Sequence, residues 1–152
     1  MPEHDVGARL EWIEAELEIH RLASEYCIGA DTRDLGMWSE VWTEDATWTV
    51  SDTQVFTGRD AICAAVDVQW RAFRRMQHTV SNHVVSIDGD EATGRADVTV
   101  FVQLDETRWI TGGGTYHDRY RRDDGRWRIA ERRVTDGFHL ELPPSTGTDV
   151  QA

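Results

Sequence analysis

Ala92-Thr93-Gly94-Arg95-Ala96-Asp97-Val98-Thr99-Val100-Phe101-Val102-Gln103-Leu104 puts a small or apolar residue at every second position. A period of two over this length predicts a long strand with one apolar, partly small-residue face. The same period begins at Gln77, and Asp88-Gly89-Asp90 supplies the tight turn between two such strands. Asp123-Asp124-Gly125 marks a second turn, flanked by strands expected over 107–121 and 126–138. Inside the first of these, Gly112-Gly113-Gly114 points to a bulge or sharp bend, as a curled sheet requires. No helix follows these glycines, so they do not read as a phosphate loop.

Upstream the period changes. Trp12, Ala15, Ile19, Leu22, Tyr26 and Ala30 recur every three or four residues, with Glu and Arg between them. This predicts an amphipathic helix over 8–30. A shorter helix is expected over 33–42, carrying Leu35, Trp38 and Trp42. Short strands follow at 47–50 and 54–56. Gly58-Arg59-Asp60 then opens a third helix, its stripe formed by Ile62, Val66, Trp70 and Phe73. Helices first and a long antiparallel meander afterwards predict an α+β fold, a cone-shaped curved antiparallel sheet with three helices enclosing an apolar pocket. One domain is expected over 1–142, with a polar, disordered tail at 143–152.

Composition narrows the function. The chain has 152 residues, 39% hydrophobic and 29% charged, with a net charge of −12. That charge argues against nucleic acid and anionic lipid as partners. No run approaches the ~20 apolar residues of a membrane span, and the acidic start does not read as a secretory signal, so a cytoplasmic location is expected. All sixteen basic residues are Arg. Schiff-base and P-loop lysine chemistry are thereby excluded. Cys27 and Cys63 fit no metal or redox spacing and read as buried small hydrophobes. Of the six His, His78 and His83 are five apart and expected on opposite strand faces. His117 and His139 are isolated, and His4 and His20 read as surface residues. No metal and no cofactor are expected. Arg95 and Asp97 share the polar face of their strand, and Asp136 does not match a partner carboxylate for them, so they read as a solvent-facing or interface ion pair.

Asp31, at the end of the first helix, and His78, at the start of the first long strand, can form a proton-transfer pair. Their separation in sequence does not show that they meet. Tyr26 lies on the helix's apolar stripe. Asn82 falls on the face of His78 if no bulge intervenes.

Tyr26-Cys27-Ile28-Gly29-Ala30-Asp31, Trp42-Thr43-Glu44-Asp45-Ala46-Thr47-Trp48, Gly58-Arg59-Asp60-Ala61-Ile62 and Met76-Gln77-His78-Thr79 resemble the SnoaL-like branch of the nuclear transport factor 2-like superfamily. Tyr116-His117-Asp118-Arg119-Tyr120 and Asp124-Gly125-Arg126-Trp127-Arg128-Ile129 extend the resemblance to about residues 8–142. The groups it is similar to are the scytalone dehydratases, bile-acid 7α-dehydratases and γ-hexachlorocyclohexane dehydrochlorinases.

The resemblance implies a dehydratase-type β-elimination with Asp31 and His78 as catalytic dyad and Tyr26 as hydrogen-bond donor. The dehydrochlorinases carry Lys at the position of Tyr26, a departure here. It also implies an anion-binding Arg on the last strand, Arg132, with Arg133 exchanging for it on a one-residue slip. The pocket lining is expected from Trp38, Trp42, Val80, Asn82, Val98 and Phe138. The expected substrate is small and aromatic, polycyclic or steroid-like, and the expected assembly is a homo-oligomer, trimer or dimer. Fold does not fix function. A ketosteroid-isomerase-like isomerase or polyketide cyclase, with Tyr26, Tyr116 or Tyr120 as acidic donor, stays open, as does a non-catalytic binding or assembly module.

Overall fold

The computed structural model describes residues 5–144. His4 and most of the expected tail lie outside the described residues. The first helix, α1 (Val6–Thr32), starts where the Asp5 carboxylate accepts from the Gly7 amide at 2.9 Å. It ends where Arg33 turns left-handed at φ 59°. Its buried stripe is Ala15, Ile19, Leu22, Tyr26 and Ala30. Trp12, nearer the N-terminus, is only half-buried.

The second helix, α2 (Leu35–Glu40), is shorter than its apolar spacing predicts. Trp42 belongs instead to β1 (Trp42–Ser51), because the Val41 carbonyl already accepts from the Ile129 amide at 2.8 Å. A tight turn leads to β2 (Gln54–Thr57), and α3 (Arg59–Ala72) follows with Ile62, Val66 and Trp70 buried. The meander then runs through β3 (Arg75–Asp88), β4 (Glu91–Gln103), β5 (Trp109–Asp123) and β6 (Arg126–Glu141).

The six strands form one open sheet in the order β2-β1-β6-β5-β4-β3. All neighbours are antiparallel except β1 and β6, which run parallel. The sheet is therefore mixed, and the expected all-antiparallel pairing holds only for the hairpins. It curls around an aromatic core in which Trp38 meets Tyr26, Trp42 and Trp48 at ring-centre distances of 4.6, 5.7 and 5.5 Å.

Two irregularities control which side chains enter the cone. Pairing of β3 with β4 shifts between Ser81 and Val84, where Asn82 is left-handed at φ 51°. Beyond this bulge the inward parity reverses. Asn82 faces outward and donates to Asp97 at 2.8 Å, and His83, expected on the face opposite His78, shares its inward face. The expected bend at the glycine triplet is present, because β5 and β6 shift register between Gly113 and Thr115.

Gly29 sets the spacing of the helices. A Cβ there would lie 2.9 Å from the backbone nitrogen of Trp38. Gly29→Ala should therefore lower stability by about 1–3 kcal/mol through overpacking, despite a helix-propensity gain of about 1 kcal/mol. Urea unfolding checks this: a variant as stable as the parent would show that α2 shifts freely.

Candidate active site

The helix end and the first long strand meet through Asp31. Its Oδ2 accepts the backbone amide of His78 at 2.8 Å, and its Oδ1 lies 2.6 Å from His78 Nδ1. Both side chains are largely shielded from water, at 19% and 13% exposure, so the charge is poorly screened. A carboxylate only accepts, so His78 Nδ1 carries the proton and Nε2 remains free as a base.

His78 forms part of the wall of a cavity of about 390 Å³ whose floor is mostly apolar. This lies within the range of small-molecule sites. Tyr26, Trp38, Trp48, Val98, Tyr116 and Phe138 are among its other walls. A larger open groove of about 1230 Å³ lies between Arg33, Asp67, Arg74 and Asp105, away from the dyad and with charged walls.

Of the expected lining residues, Trp38, Val98 and Phe138 border the cavity. Trp42 does not: it is buried behind Tyr26, ring centres 5.8 Å apart. Val80 borders instead a second groove toward α1, which it lines with His20, Ile28, His83 and the other side of His78. Asn82 is removed by the bulge.

Arg132 requires the largest correction. It points inward and Arg133 outward, but Arg132 does not reach the cavity. Asp118, its partner across β5 and β6, captures it with two bonds, Nε to Oδ1 at 2.8 Å and Nη2 to Oδ2 at 2.7 Å. Its guanidinium carbon sits 4.1 Å from the ring centre of Tyr26 and 4.0 Å from that of Tyr116. The two phenols therefore stand between this cation and the cavity. Burial works against the charge of Arg132, and Asp118 overrides it.

The polar chain continues outward. Tyr120 donates to Asp118 Oδ2 at 2.6 Å, and His83 Nε2 lies 3.1 Å from the Tyr120 oxygen. Since that hydroxyl proton is committed to Asp118, His83 donates through Nε2–H. Burial raises the pKa of Tyr26, partly offset by the charge of Arg132, and burial holds Tyr116 well above the usual phenol range. Both stay protonated as donors.

Sequence reasoning passes over Asp118, Trp48 and His139. Asp118 was detectable, since Tyr116, Asp118 and Tyr120 share one strand face and a carboxylate between two aromatics calls for a partner. Arg95 and Asp97 form the expected ion pair at 3.2 Å, with Arg95 exposed and Asp97 half-buried. Cys27 and Cys63 are free thiols, the first buried and the second half-buried. Among the described residues, no three His, Cys, Asp or Glu side chains gather as metal ligands.

The profile of the SnoaL-like domain matches residues 11–133. The chain belongs to the SnoaL-like family. Its helices and open curved sheet are the nuclear transport factor 2-like cone. This SnoaL-like chain is 26% identical over 136 residues to the γ-hexachlorocyclohexane dehydrochlorinase of Sphingobium indicum, covering 88% of the chain and 87% of that enzyme. A type 2 hexachlorocyclohexane dehydrochlorinase structure superposes with a TM-score of 0.83 at 24% identity, over 89% of this chain and 93% of the other. A Mycobacterium tuberculosis protein of unknown function superposes at 0.75 with 34% identity, over 84% and 74% of the two chains.

The buried ion pair gives a stability prediction. Asp118→Ala leaves the Arg132 charge uncompensated and should cost about 3–5 kcal/mol. The double variant Asp118→Leu/Arg132→Met should recover much of it. Equal losses in the two would show that the pair's charge is not what matters.

His83 gives a pH prediction. Burial, then the neighbouring His20, lower its pKa to about 4, against an effect of Asp118 in the other direction. The unfolded chain binds the proton near 6.5, so it holds more protons than the folded one between those values. Stability present in full above pH 6.5 is lost as pH falls toward 4. His83→Gln should flatten this slope in urea titrations at pH 7 and pH 5; an unchanged slope would assign it to other groups.

Proposed function

We propose that the protein is a β-eliminating lyase that acts on a small ring-shaped molecule in the 390 Å³ cavity, without a cofactor. The observation that carries this reading is the 2.6 Å contact of His78 with Asp31, with the imidazole on the cavity wall. Neutral His78 removes a proton from a carbon beside a carbonyl, and Asp31 stabilises the imidazolium. Tyr26, kept protonated by burial, hydrogen-bonds the carbonyl as negative charge develops on it. Arg132 acts through Tyr26 and Tyr116, which it faces at 4.1 and 4.0 Å, rather than on the substrate itself.

Two relatives support elimination as the reaction class, being dehydrochlorinases at 26–27% identity. The leaving group we assign here is hydroxyl, making the reaction a dehydration. A cavity bordered by His78, with Asp31 bonded to it from behind, argues against an assembly module with a filled interior. An isomerase would begin with the same proton removal, and the paired phenols Tyr26 and Tyr116 would serve it equally as oxyanion donors.

His78→Ala and Asp31→Asn should each lower turnover by about 10²–10⁴-fold, the usual worth of acid–base help. Both should leave circular dichroism and thermal unfolding near the parent's. The check is deuterium uptake from heavy water into the acidic C–H positions of 1-indanone, together with elimination from 3-hydroxy- and 3-chloro-1-indanone. Parent-like rates in both variants would remove the dyad from the chemistry.

A further inference from the structure

One transverse row of the sheet joins two histidines. His78 pairs with Val100 across β3 and β4, Val100 with Gly112 across β4 and β5, and Gly112 with His139 across β5 and β6. All four residues border the cavity. The row's side chains share one face: a Cβ on Gly112 would lie 3.7 Å from Val100 Cγ1 and 3.9 Å from His139 Cβ. The two histidine backbones are three strand spacings apart, about 14 Å measured along the sheet. Gly112 places no side chain between the two histidines, and both border the same cavity of about 390 Å³.

The ends of the row differ. His78 is shielded and tied to Asp31, whereas His139 belongs to the exposed end of β6 at the cavity mouth. We propose that His139 is a second catalytic residue, the general acid that protonates the leaving hydroxyl. This rests on the reading of His78 as the base.

The electron flow closes. His78 Nε2 takes the proton from carbon, and the C–H pair becomes the new C=C bond. The C–O pair leaves on oxygen, and the imidazolium of His139 gives that oxygen a proton, releasing water. His78 ends protonated and His139 neutral, and each is restored by exchange with solvent. Bases and acids on opposite sides of the ring suit an anti elimination.

Chloride departs without a proton and hydroxide does not, so the leaving group tests the assignment. 3-Hydroxy-1-indanone and 3-chloro-1-indanone share one carbon frame and differ only there. His139→Gln should slow elimination from the hydroxy compound by about 10²-fold or more and alter that from the chloro compound by less than about 3-fold. Deuterium exchange into 1-indanone, which uses the His78–Asp31 dyad and Tyr26 but loses no leaving group, should stay unchanged.

Equal losses on both compounds would overturn the proposal by making His139 a shaping residue, and no loss on either would overturn it outright. If the parent protein neither eliminates nor exchanges, the base assignment itself fails and His139 falls with it. Exchange that depends on His78 but elimination indifferent to His139 would leave the base assignment standing and remove only this inference.

Discussion

A guanidinium with no access to water must be neutralised where it stands, and the interior of this cone is arranged around that requirement. Arg132 is 1% exposed, and its carboxylate partner Asp118 is 4% exposed. Neither charge can be buried alone without a cost of several kcal/mol. Asp118 holds Arg132 with two bonds and takes a third from Tyr120. The faces of Tyr26 and Tyr116 cover the cation on the side toward the cavity. The polar centre thus presents only phenols to a bound molecule, and its full charge stays behind them. The cavity walls thus stay mostly apolar while the cation sits directly behind their phenols.

Much of the fold is legible in the sequence because it is written in periods. The stripe from Ala15 to Ala30 and the alternation from Ala92 to Gln103 each imply their element and buried face. Parity across β3 is not legible. Nothing in its alternation says that Asn82 will turn left-handed, yet this one backbone angle sends Asn82 outward and His83 inward. Trp42 fits a helical stripe as well as a strand, and its parallel pairing with Ile129 near the chain's other end decides the matter.

The candidate site divides the same way. Asp31 and His78 were recognisable by resemblance, but their contact joins two elements that no spacing rule connects. The orientation of Arg132 rather than Arg133 follows from its pairing with Asp118, which is a tertiary fact. In the sequence His139 reads as an isolated histidine, because its neighbours Phe138 and Leu140 give the strand end no clear apolar face. It gains meaning only when four strands are laid side by side.

The single parallel ladder has a consequence for how the protein comes to be made. Four of the five strand junctions join consecutive strands through short connections, but β1 reaches the meander only through β6. Bringing such distant segments together carries a loop-closure cost that local hairpins avoid. The cavity draws Trp48 from β1 and Val134, Phe138 and His139 from β6. During synthesis, α1 and the first hairpins can pair as they emerge, but no binding cavity exists until the last strand has left the ribosome. Truncation at the C-terminal strand therefore removes the chamber itself, and with it the buried cation that organises the chamber's inner wall.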